Sequence, residues 1–200
     1  MTGECVSGPM GRDVWSPASD LRWYDLMYRL RAMGLSSDIL INFSVTSDLR
    51  NSSRHIMTLD QPELGLAREF LTNGPMDPVV MGYKQFMMEV LMLLGVDPST
   101  AQTRVEEIVS FEMKLANITM PREMMRDPNR KYNPMTVGDL GEYDADTPWL
   151  EYITSILGPE NGGVSSSDMI VVSHPQYVLQ LRNLLNQTPI NTQVKLTSHQ

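Results

Sequence analysis

At 200 residues, 42% of them hydrophobic, the chain is long enough to bury a core without metal or disulfide staples and too apolar to be disordered throughout. A formal net charge of -8 excludes a nucleic-acid backbone or an anionic membrane surface as the main partner, because clustered Lys and Arg hold such partners. Cys5 is the single cysteine, so there is no internal disulfide, and cysteine usage taken alone suggests a reducing compartment.

Residues 1–18 are rich in Gly, Pro and Ser and read as irregular, with Trp15 as an anchor onto the domain; residues 1–10 lack the basic start and apolar core of a leader. Ser19 or Asp20 is positioned to cap a helix reaching about Met33, because Trp23, Leu26, Met27, Leu30 and Met33 recur at helical spacing before Gly34. Residues 39–45 are apolar and β-branched, and residues 54–59 alternate loosely. With the polar stretch 46–53 as a loop between them, they predict a β-hairpin over about 39–59. Asp60-Gln61-Pro62 ends the second strand, since proline has no N–H for the ladder.

Helical patterning then dominates. Asp77-Pro78 opens a helix over 79–94 with Val79, Tyr83, Phe86, Met87, Val90 and Leu94 on one face and Lys84, Gln85 and Glu89 off it. Met88, Met92 and Leu93 are also off-face, the mark of a helix packed on more than one side. Gly95 ends it, and Asp97-Pro98 opens a second helix whose stripe is Val105, Ile108, Phe111, Leu115 and Ile118. Glu112 falls within that stripe, about 40° from Ile108, so it either snorkels or is paired in the interior, with Arg122 or Arg126 as the expected partner of a buried ion pair. Thr136 with Asp139 forms a capping box. Trp149, Ile153, Ile156 and Leu157 mark a short helix ended by Gly158-Pro159, and residues 162–168 read as a flexible loop. A short strand over 169–172 follows, then a helix over 175–185 with Tyr177, Val178, Leu181, Leu184 and Leu185 inward, and a polar tail over 187–200. No apolar run approaches the ~20 residues of a membrane span.

Chemistry-bearing patterns are few. His55, His174 and His199 are scattered, none has a second His four residues on, and Cys5 is remote from them, so no zinc ligand set is visible. There is no Gly-x-Ser-x-Gly and no glycine-rich phosphate loop, and Glu106-Glu107 and residues 144–146 read as solvated charge. No catalytic, cofactor-binding or metal residue is assigned. Four sequons occur, at Asn42, Asn51, Asn117 and Asn186. Asn117 lies about 180° from Ile108 on its helix. Asn42 falls within a predicted strand, and Pro189 weakens Asn186, so Asn51 and Asn117 are the favoured glycan acceptors of a secreted chain.

Asn51-Ser-Ser-Arg-His-Ile, followed by Asp60-Gln61-Pro62-x-Leu64-Gly65-Leu66, resembles the N-terminal lobe of the neprilysin and endothelin-converting-enzyme family of zinc metallopeptidases. Collinear matches follow at Phe111-Glu112, residues 115–119 (Leu-Ala-Asn-Ile-Thr), Arg126-Asp127, residues 132–136, Trp149-Leu150, Val171-Val172 and residues 175–177. The resemblance covers about residues 8–185. Two departures stand out: residues 66–71 replace the family's Leu-Pro-Ser-Arg-Asp-Tyr-Tyr, one residue shorter, and the catalytic His-Glu-x-x-His helix does not occur.

The resemblance implies a mainly α, multi-helix lobe over 19–186, incomplete relative to the family's whole lobe. Asp60, Gln61, Pro62, Gly65 and Glu112 are its structural motif residues. Such a lobe is similar to a cap facing the catalytic lobe, which encloses oligopeptide substrates. Zinc, held there by two histidines and a glutamate, would belong to the catalytic lobe. The implied setting is extracellular, as a secreted protein or the ectodomain of a single-pass membrane protein, against the cysteine count. The expected partners are that catalytic lobe and oligopeptides, with no nucleic acid and no membrane segment in these residues. A stand-alone extracellular glycoprotein module that binds a peptide or protein is the alternative, and an intracellular helical enzyme has the cysteine count alone in its favour.

Overall fold

The computed structural model describes residues 22–158, 163–189 and 192. In chain order these form α1 (Trp23–Ala32), β1 (Asn42–Asp48), β2 (Asn51–Asp60), α2 (Arg68–Asn73), α3 (Pro78–Leu93) and α4 (Pro98–Ile118). A 3-10 turn (Met124–Arg126), α5 (Pro128–Lys131), β3 (Pro134–Thr136), α6 (Val137–Tyr143), α7 (Trp149–Leu157), β4 (Met169–Val172) and α8 (Pro175–Asn186) follow. The fold is mainly α with one small sheet, as expected. Cys5, Trp15, the proposed Ser19 or Asp20 cap, His199 and most of the polar tail lie outside the described residues. In place of that cap, the Asp25 carboxylate accepts the Arg22 N–H at 2.9 Å at the start of α1.

The sheet runs β1-β2-β4-β3. β1 and β2 are antiparallel from Asn42↔Asp60 to Ser47↔His55, with a register shift before Asp48↔Asn51. The expected loop over 46–53 is therefore corrected: both strands continue through it and turn on Leu49 and Arg50 alone. Its polarity reflects exposure of a hairpin tip, not unpaired backbone. Asp48, 1% exposed, holds that tip: it accepts from the Arg50 N–H at 2.9 Å, the Arg54 Nε at 2.8 Å and the Tyr132 hydroxyl at 2.9 Å. At the other end, Ile39, Leu40 and Ile41 precede β1 and are buried without belonging to it.

β4 adds parallel to β2 with Leu59 opposite Val172, and β3 adds antiparallel to β4. β3 is a strand that three residues beginning with proline gave no pattern to predict. Around the sheet, Leu26, Met27 and Leu30 of α1 and Trp149, Tyr152 and Ile153 of α7 share one core with Ile108, Phe111 and Leu115 of α4 and Tyr177 and Leu181 of α8. The Tyr177 hydroxyl donates to the Leu40 carbonyl at 2.6 Å, fixing α8 on the segment before β1.

α3 and α4 are antiparallel neighbours with their own cluster of Val80, Leu91, Ala101, Val105 and Val109. Each opens on Asp-Pro. Asp77 accepts the Val79 N–H at 2.8 Å, and Asp97 accepts the Thr100 N–H at 3.0 Å, with proline at the first turn of both. The phase expected for α3 is corrected. Val80 and Leu91 are buried, while Phe86 is 62% and Leu93 87% exposed, with Val79 and Val90 also outward. Apolar residues lie on two sides of this helix, and α4 takes the side that periodicity alone could not single out.

Candidate functional site

The segment after β2 crosses the C-terminal half of α4 and is laced to it. Asp60 pairs with Lys131 Nζ at 2.8 Å and accepts the Gln61 N–H at 2.8 Å. The Gln61 side chain then mimics a strand: its Oε1 accepts the Met120 N–H at 2.7 Å, and its Nε2 donates to the Met120 carbonyl at 3.3 Å. Pro62 is buried, and Arg68 Nε donates to the Thr119 carbonyl at 3.1 Å. These bonds satisfy backbone groups of Thr119 and Met120, just past the end of α4. They also set Gly65 directly over Glu112.

Glu112 is 8% exposed, as its place on the apolar stripe predicts. The predicted partner is corrected: no cation among the described residues reaches it, and Arg122 and Arg126 are exposed beyond the end of α4. Instead it accepts hydrogen bonds from the Tyr83 hydroxyl of α3 and the Gly65 N–H. Its Oε1 is the oxygen turned toward Gly65, and its Oε2 has no hydrogen-bond partner. Burial pushes the Glu112 carboxyl above the ordinary carboxylate range, an effect the two hydrogen bonds only partly offset. Burial likewise raises Tyr83, and the neighbouring Glu112 adds to it. Gly65 packs closely here: a Cβ would fall on the Tyr83 hydroxyl and within 2.7 Å of Glu112 Oε1, so those side-chain ends would have to move. Beside this contact lies a cavity of about 350 Å³ lined by Glu63, Gly65, Tyr83, Met87, Phe111 and Glu112, among others. Sequence reasoning marked Gly65 and Glu112 separately but missed Tyr83, whose signal is a phenol on an otherwise apolar helix face.

One further reading changes. Asp144 is not solvated: it is 1% exposed, accepts the Trp149 indole N–H at 3.2 Å and faces Arg182 Nη1 at 3.4 Å. Glu106 does lie at the surface, paired with Lys84 at 2.7 Å. His55 is exposed, and His174 precedes α8 half-buried, its basicity lowered by burial. Among the described residues no group of three His, Cys, Asp or Glu side chains is placed to hold a metal ion, so zinc has no fitting ligand set there.

Of the sequons, Asn51 is exposed at the hairpin tip and Asn117 on the outer face of α4. The Asn117 amide donates to the Met113 carbonyl at 2.9 Å. Asn42 is half-buried and paired opposite Asp60, and Asn186 is exposed at the end of α8.

The model of peptidase family M13, in its N-terminal part, matches residues 6–197. Neprilysin-2 of Drosophila melanogaster is 33% identical over 177 residues, 88% of this chain and 23% of that protein. Human endothelin-converting enzyme 1 is 31% identical over 147 residues, 72% of this chain and 19% of that protein. The fold matches the zinc metalloprotease Zmp1 of Mycobacterium tuberculosis, solved with an inhibitor, at a TM-score of 0.74 and 19% identity, over 90% of this chain and 28% of that one. The chain thus spans about a quarter of the length of the relatives it matches. Matched along nearly its whole length, it belongs to peptidase family M13, the neprilysin and endothelin-converting-enzyme family, and corresponds to the N-terminal region of those proteins.

Proposed function

We propose that residues 19–186 act as a non-catalytic cap portion of a neprilysin-like zinc endopeptidase that cleaves oligopeptides, with zinc and the water-activating glutamate on a separate catalytic lobe. The observation that carries this reading is the outward face of α3, where Val79, Phe86, Val90 and Leu93 present contiguous apolar surface on a chain about a quarter the length of its relatives. Such a surface marks an interface, and the catalytic lobe of the same polypeptide is the partner proposed for it. The sequence supports the division of labour, since no His-Glu-x-x-His occurs in the 200 residues. The purified chain is expected to bind no stoichiometric zinc and to cleave no fluorogenic peptide. One zinc per chain by elemental analysis, with chelator-sensitive cleavage, would overturn the proposal.

The proposed setting is extracellular, with glycans on Asn51 and Asn117. Their exposure supports this, and no helix among the described residues is long and apolar enough to cross a membrane. The same exposure favours the alternative of a stand-alone glycoprotein module. Expressed behind a secretory leader, the chain should lose one glycosidase-sensitive mobility step with Asn51→Gln and another with Asn117→Gln. Secretion without any glycosidase-sensitive shift would count against the glycan assignment.

A further inference from the structure

We propose that the cavity beside Gly65 is a binding site for a primary ammonium ion carrying a short apolar chain, its nitrogen on Glu112 and its carbons along Met87 and Phe111. This proposal stands apart from the cap reading, because it concerns side chains within these 200 residues alone.

The chemistry of the lining selects the ligand class. Glu112 is more than nine-tenths buried, its Oε2 is without a donor, and its Oε1 lies against Gly65. A buried acceptor left open is a strong demand for a donor. Glu63 brings a second carboxylate to the same cavity, and among the described residues no Lys, Arg or His lines it. An anion would be repelled, and a purely apolar ligand would leave Oε2 open. Among the described residues no three His, Cys, Asp or Glu side chains meet here to hold a metal ion. A guanidinium binds best as a fork across both carboxylate oxygens, and here one of the two packs against Gly65. An ammonium is a compact charge with three donors, and the apolar walls of Met87, Phe111, Ile108 and Leu115 suit the carbons it carries. The volume of about 350 Å³ lies within the range of small-molecule sites, roughly 300–1,000 Å³. A free amine and a lysine side chain share this chemistry.

The test is a titration of the purified 200-residue chain, labelled at its methionine methyl groups, with n-butylammonium chloride and, in parallel, with 1-pentanol as an uncharged chain of similar size. The expected result is a saturable shift of the Met87 methyl resonance, with the ammonium binding about tenfold tighter than the alcohol and Glu112→Gln removing that difference. Equal binding of the two probes, or undiminished ammonium binding to folded Glu112→Gln, would overturn the proposal. Should that variant fail to fold, the wild-type chain decides. Magnetisation transfer from the butyl protons to Met87 and the Tyr83 ring supports the site, and its absence at saturating amine refutes it. N-acetyl-lysine-methylamide separates the sources. Binding as tight as that of n-butylammonium assigns the site to a lysine side chain, and binding of the free amine alone assigns it to a small amine; both support the ligand class.

Discussion

At the scale of single residues, Gly65 and Glu112 form one device rather than two motif positions. Gly65→Ala would drive a methyl into the Tyr83 hydroxyl and Glu112 Oε1. It should cost about 1–3 kcal/mol in a denaturant titration, in line with other overpacked sites; an unchanged midpoint would show that the crossing segment yields freely. Glu112 carries a pH dependence whose sign is opposite to that of a salt-bridged carboxylate. Its folded-state affinity for a proton is raised by burial, so its contribution to stability is complete below the unfolded value near 4.5 and is lost as pH rises through the folded one. Tyr83, raised further and neutral throughout, and Glu63 are the other titratable groups at this cavity. Glu112→Gln should therefore gain on the wild-type chain as pH increases from about 4 to about 8. A constant difference between the two would refute the burial argument. The burial of Glu112 was legible from a helical wheel, but its partners were not. Helix phase reports which way a side chain points and carries no information on a tyrosine from another helix or an amide from a loop. The same limit explains Asp144, whose acidic neighbourhood reads as solvated until Trp149 and Arg182 close over it.

At the scale of elements, the helix starts were legible because Asp-Pro and the Thr136–Asp139 box act within four residues. Asp97 illustrates what such a start contributes. Hydrogen bonds from Thr100 and Ser99 hold its carboxyl well below the usual range, so the stabilisation stands above the unfolded value and drains away as acid approaches the folded one. The melting temperature of Asp97→Ala should accordingly lie below that of the wild-type chain at neutral pH and converge on it in strong acid. Parallel curves would mean that the cap is idle. α8 is fixed differently, through the buried bond from Tyr177 to the Leu40 carbonyl. Tyr177→Phe should cost about 1–3 kcal/mol by leaving that carbonyl without its donor, and a neutral result would mean that water replaces the hydroxyl. Neither that bond nor β3 could be read from the chain. One spans 137 positions, and the other is a strand only because β4 passes beside it.

At the scale of the whole molecule, the apolar outer face of α3 sets the behaviour of the isolated chain. Phe86 and Leu93 are largely exposed beside Val79 and Val90, and the chain should self-associate or bind a hydrophobic dye at micromolar concentration. Phe86→Lys with Leu93→Lys should abolish both without lowering the melting temperature, because neither side chain is part of a buried cluster. A monomeric wild-type chain with no dye binding would move weight to the stand-alone module. The breadth of this face was legible in sequence as apolar residues on two sides of one helix; which side met α4 was not. The sheet carries a different consequence, one of timing. β4 lies between β2 and β3, yet its pairing with β2 joins residues about 110 positions apart in sequence. During translation the hairpin emerges early, and its inner edge from Met57 to Leu59 stays open until β4 arrives. An open strand edge is a template for wrong partners, and closing so distant a pair is slow. Nascent chains stopped short of β4 should therefore be held by chaperones, and the appearance of β4 should be the event that commits this lobe to its fold.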